Sequence, residues 1–198
     1  MIKCYADVHH QYINIPKCAG TSILSAMYKL EGTPAEIHDQ APPTRPWRPD
    51  GPPTFAVIRT PFARFRSTWM NKVYMPHRED TALIKMGARK GMRLAEFLMF
   101  VLQKPELQMY ESHIRSQSKY LPDDLSKVTL IRHEDLGVDW YTHGLEALYG
   151  ALPRLNRSSQ ISGDIHQVVL DGALSNAQRK AVDLMYENDM KIWEGAQK

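Results

Sequence analysis

A short turn near the N-terminus carries the residues best suited to bind an anion. It follows an apolar run that ends at Ile15, and it consists of Pro16, Lys17, Cys18, Ala19, Gly20, Thr21 and Ser22. The next residues have helical spacing, so two hydroxyl groups stand where backbone N–H groups lack partners within the helix. The lysine adds a full charge to the positive end of the helix dipole. The pattern predicts a phosphate or sulfate site, with an ordinary strand–turn–helix corner as the alternative.

A second group of basic residues follows another apolar run. Residues 54–58 are suited to a buried parallel strand that ends in Arg59. Thr60–Pro61 is suited to the start of a helix that carries Arg64 and Ser67. Ligands of parallel α/β sheets bind beyond the carboxyl ends of the strands. Two basic sites at such ends therefore indicate one ligand with two separated anionic groups.

The remaining pattern alternates strands with helices. Strands are predicted at 11–15, 54–59 and 128–131, with a further short strand at 36–39. Helices are predicted at 21–30, 61–73, 94–102, 140–149 and after Ser175, whereas 1–10 and 110–120 indicate no clear element. Loops are predicted at 41–53, which is rich in proline, at 75–91 and at 153–168. This order predicts an α/β fold with a mainly parallel central sheet flanked by helices, and the length predicts one domain over 1–198.

The composition narrows the classes of function that suit this chain. The chain has 198 residues, 43% of them hydrophobic and 24% charged, as in globular proteins, and its net charge of +3 is too slight to indicate nucleic acid. Two cysteines and eight histidines without metal-binding spacing predict neither a disulfide framework nor a metal site. Neither an apolar run of about 18 residues nor a signal-like N-terminus is present, which predicts a cytoplasmic protein without a membrane span.

Two familiar phosphate chemistries fit the turn poorly. A nucleoside-triphosphate P-loop places its lysine after the second glycine, whereas Lys17 precedes Gly20. The strand at 128–131 is followed by arginine and histidine, not by the aspartate that helps to hold Mg²⁺. Cys18 near a helix start could be an activated thiol, but Leu24 stands where a thiol phosphatase usually has arginine. ATPase, kinase and phosphatase chemistry are therefore disfavoured.

Four segments together resemble the carbohydrate sulfotransferases of the heparan-sulfate 2-O, chondroitin and HNK-1 type. Residues 15–22 are similar to their 5′-phosphosulfate loop, and residues 59–67 are similar to their 3′-phosphate motif. Residues 113–118 and 131–136 resemble two later segments, in the same order. The resemblance implies a single sulfotransferase-like domain with a three-layer, P-loop-like fold. It also implies that 3′-phosphoadenosine 5′-phosphosulfate (PAPS) donates the sulfuryl group. Sulfuryl transfer carries less charge than phosphoryl transfer, so no metal is expected.

The same resemblance implies roles for individual residues. Lys17 would act at the bridging oxygen of the phosphosulfate, and the rest of the loop would surround the 5′-phosphate: Pro16, Cys18, Ala19, Gly20, Thr21 and Ser22. Arg59 and Ser67 would hold the 3′-phosphate, with Arg64 assisting.

The sequence indicates the residues that bind or activate the acceptor less specifically. His38 is expected to be the general base because it lies between the two donor motifs and imidazole has a suitable pKa. His113 is the alternative base, with Glu36 and Asp39 as fallbacks. Trp47, His113 and Gln117 are candidates to bind a hydroxylated acceptor, with a carbohydrate favoured. The alternative functions are a nucleotide-binding module without catalysis and a P-loop nucleotide kinase.

Overall fold

The chain is divided between two units in the computed structural model, which describes residues 1–75, 81–155 and 169–196. Within these residues, the first unit comprises 1–59, 117–155 and 192–196, and the second comprises 60–75, 81–116 and 169–191. The single domain expected over 1–198 stays a prediction.

The first unit contains a five-stranded mixed sheet. Its strands are β1 (Lys3–Ala6), β2 (Gln11–Ile13), β3 (Arg45–Pro46), β4 (Thr54–Ile58) and β5 (Val128–Arg132), in the order β3-β1-β2-β4-β5. The pairs β2–β4 and β4–β5 are parallel, whereas β1 is antiparallel to both β2 and β3. The expected parallel arrangement therefore holds for β2, β4 and β5, whose carboxyl ends meet at one edge.

Strand β4 is central to this arrangement because it is apolar on both faces. All five of its residues are buried, as expected for a parallel strand covered on both sides. The ring of Phe55 stacks on the ring of Tyr12 in β2 with centroids 5.1 Å apart. At the other end of the strand, Ile58 pairs with Arg132 of β5.

The helices of the described residues are short. They are α1 (Gly20–Tyr28), α2 (Pro34–Gln40), α3 (Pro61–Trp69), α4 (Ala82–Lys85), α5 (Leu94–Leu102), α6 (Leu107–Tyr110), α7 (Leu136–Thr142), α8 (Leu145–Tyr149), α9 (Asn176–Met185) and α10 (Glu187–Gly195). Within the described ranges, none is long and apolar enough to cross a membrane.

The strand predicted at 36–39 is wrong, because these residues belong to α2. Thr33 and Glu36 form a capping box: the threonine hydroxyl accepts from the Glu36 N–H, and the Glu36 carboxylate accepts from the Thr33 N–H. Pro34 occupies the first helical turn, where its missing N–H costs nothing. Ile37 is the only buried residue of α2, so the sequence has no apolar stripe to announce a helix.

Other elements differ from the prediction in extent. Strand β1 lies where no element was expected, and β3 lies inside the proline-rich segment. Helix α3 ends at Trp69 and continues as one wider turn over Met70–Tyr74. The helix predicted at 140–149 is divided into α7 and α8 at Gly144, which has a φ of 70°. The loop predicted at 153–168 lies outside the described residues from 156 onward.

The second unit has an aromatic core. Phe65 of α3 stacks on Phe97 of α5 with ring centroids 5.0 Å apart. Trp69 is fully buried, and its indole N–H donates to the carbonyl of Met92 at 2.8 Å. Helix α9 packs on α3 and α5. Because α5 coincides with its predicted bounds, the apolar stripe is the signal that located this core.

Candidate active site

The turn that follows β2 has a defined backbone geometry. The N–H of Cys18 donates to the carbonyl of Ile15 at 3.2 Å, which closes a four-residue turn with Pro16 at its second position. Lys17, at the third position, has a φ of 71°. A type II turn has this arrangement and usually places glycine there. The lysine therefore occupies a position that a β-carbon disfavours.

Helix α1 begins directly after the turn, without a capping side chain. Its N-cap residue is Ala19, which has a φ of 63° and no side chain that can cap, and its carbonyl accepts from the N–H of Ile23. The first turn contains no acidic residue. The positive end of the helix dipole is therefore not compensated by a carboxylate of its own first turn, which favours an anion there.

Gly20 is required by a close approach rather than by its φ. A β-carbon at this position would lie 2.4 Å from Oδ1 of Asn14. That oxygen accepts from the hydroxyl of Tyr12, which is 0% exposed. The side chain of Asn14 thus supports the first residue of α1 and satisfies a buried hydroxyl.

We expect Gly20→Ala to lower the free energy of unfolding by about 1–2 kcal/mol, because Asn14 must turn away and abandon the buried Tyr12 hydroxyl. Urea unfolding followed by circular dichroism measures this change. The same substitution in an Asn14→Ala background is the control, since the obstacle is then gone. Equal losses in both backgrounds would contradict the contact.

Arg59 lies beside the turn. It follows the last residue of β4, and its Nη1 donates to the carbonyl of Lys17 at 3.4 Å. The structure therefore brings together two residues that are 42 positions apart. The sequence predicted that they share one edge of the sheet, and the parallel pairing of β2 with β4 produces this result.

Gln117 joins the same group of residues, although it was expected to bind the acceptor. Its Oε1 accepts from the Arg59 N–H at 2.9 Å and lies 3.3 Å from the Sγ of Cys18, and its Nε2 donates to the Arg59 carbonyl at 2.8 Å. The side chain is 1% exposed. Its acceptor role stays a prediction, but these contacts use the amide within the protein.

His38 approaches the site from α2. Its Nε2 lies 3.1 Å from Oγ1 of Thr21, the second residue of α1. The histidine is exposed, whereas Thr21 is half-buried. An exposed imidazole is therefore in hydrogen-bond contact with the beginning of the helix that the sequence predicts to bind an anion.

His133 also lies at this edge, although the sequence motifs indicated no role for it. It follows β5 directly, and its N–H donates to the carbonyl of Ile58 at 2.7 Å. Burial, and after it the positive charge of Arg59, lowers the pKa of His133 from 6.5 to about 4. The rule that located Arg59 at a strand end would have located His133 as well.

This lowered pKa predicts a pH dependence of stability. The unfolded chain takes up a proton at His133 as the pH falls from about 7 towards 4, whereas the folded chain does not. The contribution of His133 to the free energy of unfolding is therefore present above the unfolded pKa of 6.5 and decreases as the pH falls towards 4. We expect this residue to account for a loss on the order of 2 kcal/mol by pH 4. Urea unfolding of wild type and His133→Gln at several pH values measures it, and identical pH profiles would contradict the shift.

A family model described as the sulfotransferase family matches residues 7–194. The chain belongs to the sulfotransferase family. The resemblance read from the sequence motifs is therefore confirmed at the level of the family. No curated protein and no solved structure shows significant similarity to the chain.

Three residues expected at the site of this sulfotransferase lie in the second unit. Arg64 is 2% exposed and donates from Nη2 to the carbonyl of Ser112 at 3.3 Å. Ser67 is half-buried on α3. His113 lies with its Nδ1 2.5 Å from Oε1 of the buried Glu111. Burial opposes ionisation of Glu111, but hydrogen bonds from His113 hold its pKa below the usual value. The roles of Arg64, Ser67 and His113 stay predictions.

Trp47 lies at the other end of the sheet. Its indole N–H donates to Oγ1 of Thr54 at 3.0 Å, and Thr54 begins the strand that ends beside Arg59. The ring packs against the core of the first unit. The expected contact with the acceptor stays a prediction, and the observed contacts are those of a packed side chain. Across the ranges 1–75, 81–155 and 169–196, no group of three His, Cys, Asp or Glu residues could hold a metal ion.

Proposed function

We propose that this sulfotransferase transfers the sulfuryl group of PAPS to a hydroxyl group, most suitably that of a carbohydrate. The observation that carries the proposal is the 3.4 Å contact between the Arg59 guanidinium and the Lys17 carbonyl. PAPS carries a phosphosulfate at the 5′ position and a phosphate at the 3′ position of the same ribose. Two cationic residues from neighbouring strand ends suit such a ligand, whereas a P-loop for ATP has a different order of lysine and glycine.

The turn and the start of α1 supply the donors for the phosphosulfate. We assign the 5′-phosphate to the N–H groups of the first turn of α1, with the hydroxyl of Thr21. Ser22 is expected to contribute mainly its N–H, because the residue is only 6% exposed and its hydroxyl oxygen accepts from the N–H of Leu155 at 3.3 Å. Lys17 would stabilise the negative charge that develops on the leaving phosphate, and such donors act chiefly on the transition state. Pro16, Cys18 and Ala19 shape the turn.

Arg59 is assigned to the 3′-phosphate. A guanidinium can donate two parallel hydrogen bonds to phosphate oxygens, which an ammonium group cannot do. The lowered pKa of His133 keeps this neighbouring imidazole neutral near pH 7, so it adds no positive charge next to Arg59. Arg64 and Ser67 remain assigned to the same phosphate on the sequence motif alone.

His38 is proposed as the general base. Its contact with Thr21 puts an imidazole next to the helix start that would hold the phosphosulfate. The base would take the proton of the acceptor hydroxyl as its oxygen attacks sulfur, and the nucleotide would leave as adenosine 3′,5′-bisphosphate (PAP). His113 remains the alternative base.

Lys17 offers a test that separates function from stability. We expect Lys17→Gly to raise the free energy of unfolding by about 1 kcal/mol, because glycine adopts the φ of 71° without strain. The same variant should lose PAP affinity by about tenfold or more, because a charge-assisted contact is removed. Thermal unfolding and calorimetry measure the two changes. Lower stability would contradict the backbone strain at Lys17, and unchanged affinity would contradict its assignment to the phosphosulfate.

The proposed reaction is tested by label transfer. The protein is incubated with sulfur-labelled PAPS and a panel of hydroxylated acceptors, with sugars, lipids and peptides in separate arms. We expect label on a carbohydrate and release of PAP. Label on another class would correct the acceptor alone. PAP binding without any transfer would instead identify a nucleotide-binding module without catalysis.

A further inference from the structure

The amide of Gln117 connects the two parts of the candidate donor site. One oxygen, Oε1, is shared by the N–H of Arg59 at 2.9 Å and the Sγ of Cys18 at 3.3 Å. The nitrogen of the same amide donates to the Arg59 carbonyl at 2.8 Å. A buried amide is costly unless its groups are paired. These contacts satisfy it and thereby fix its orientation.

The contacts with Arg59 occur where the chain leaves the sheet. The last paired residue of β4 is Ile58, which lies opposite Arg132. Beyond that point, the backbone of Arg59 needs partners from elsewhere. The Gln117 amide presents a carbonyl and an N–H group side by side, as a neighbouring strand would. It therefore extends the pairing by one residue and holds the backbone from which the guanidinium projects.

The contact with Cys18 fixes the other part. Cys18 is 0% exposed and lies between Lys17 and Ala19, which both have a positive φ. A thiol bonded to Gln117 anchors the middle of this strained turn. The thiol of the turn and the backbone N–H of Arg59 thus contact the same oxygen atom.

We infer that Gln117 is a positioning residue, which sets the separation between the Lys17 turn and Arg59 and so matches the site to a nucleotide with phosphates at both the 5′ and 3′ positions. The inference rests on the proposed function. It assigns Gln117 no contact with the reacting atoms. A ligand with one phosphate should depend on this residue much less than PAP does.

The chain contains a matched control. Gln11 is 3% exposed, and its amide accepts from the N–H of Arg48 at 3.0 Å and donates to the Arg48 carbonyl at 2.8 Å. Its Oε1 also lies 3.6 Å from the Sγ of Cys4. The same chemistry therefore occurs at the start of β2, at the opposite end of the strand from the Lys17 turn. Loss of Gln11 removes a comparable buried amide, together with its hydrogen bonds to Pro52 and Thr54, without touching the proposed site.

The experiment compares PAP with adenosine 5′-phosphate by calorimetry. The ratio of their dissociation constants measures the gain from the second phosphate. We expect Gln117→Met to reduce this ratio by about tenfold, because the Arg59 guanidinium is then no longer held where it can donate to the second phosphate. Gln11→Met should lower the thermal midpoint but keep the wild-type ratio. Cys18→Ser, which keeps a donor, should retain more of the ratio than Cys18→Ala.

The outcomes separate this inference from the proposed function. If wild type does not bind PAP, the proposed function fails and the inference fails with it. If wild type binds PAP and Gln117→Met keeps the full ratio, only the inference is overturned. If Gln117→Met does not fold, the Cys18 variants decide, and equal ratios for Ala and Ser overturn the inference. A reduced ratio in Gln11→Met equal to that in Gln117→Met also overturns it.

Discussion

His38→Ala should reduce the rate of sulfuryl transfer on the order of 10²–10⁴-fold, because an acceptor hydroxyl then attacks without a base. The affinity for PAP should change little, since the proposed donor contacts come from the Lys17 turn, α1 and Arg59. The 3.1 Å contact between the imidazole and Thr21 makes this the residue whose loss is expected to have the largest effect on turnover. Single-turnover kinetics with labelled PAPS measure the chemical step.

His9→Ala is the control for this prediction. His9 is also exposed, but it lies in the hairpin between β1 and β2, where its backbone N–H donates to Asp7. Its removal should leave the rate unchanged. Wild-type turnover in His38→Ala would contradict the assignment of the base and would direct attention to His113, which the buried Glu111 orients.

Arg59→Ala should weaken PAP binding by roughly 1.5–3 kcal/mol, or about 10- to 150-fold, because a charge-assisted contact with a phosphate is lost. Affinity for adenosine 5′-phosphate should decrease much less. Arg59→Lys should restore only part of the loss, since an ammonium group cannot donate two parallel hydrogen bonds. Calorimetry with both nucleotides measures these differences.

Arg48→Ala controls for the general loss of positive charge. The backbone of Arg48 is bracketed by a buried glutamine amide, as is that of Arg59, but Arg48 itself is exposed in the proline-rich segment. PAP affinity should be the same as in wild type. Equal losses in the Arg48 and Arg59 variants would indicate a nonspecific effect of charge rather than a phosphate contact.

The elements that the sequence predicted best are those with the clearest apolar pattern. Strand β4 is a continuous apolar run, and α5 has a stripe at helical spacing, so burial alone determines both. Helix α2 was missed because its information lies in the cap formed by Thr33 and Glu36 rather than in a buried face. Strands β1 and β3 are stabilised by pairing between distant residues, such as Cys4 with Arg45, which no local pattern encodes.

The candidate site likewise contains residues that a local pattern predicts and contacts that it does not. The position of Arg59 beside the Lys17 turn followed from the rule that parallel strands end at one edge. His133 obeys that rule too, and the strand before it was predicted. The amide of Gln117 makes two hydrogen bonds to the backbone of Arg59, which lies 58 positions away in the sequence. A single amide carries no sequence signal for such a contact, so only the structure could identify it.

The most direct measurement of the central claim is a calorimetric titration of the wild-type protein with PAP in metal-free buffer, beside a titration with ATP and Mg²⁺. If the Lys17 turn holds the 5′-phosphate and Arg59 holds the 3′-phosphate of one nucleotide, PAP binds without metal and more tightly than ATP. Tighter binding of ATP that depends on Mg²⁺, or no binding of PAP at all, would contradict the claim.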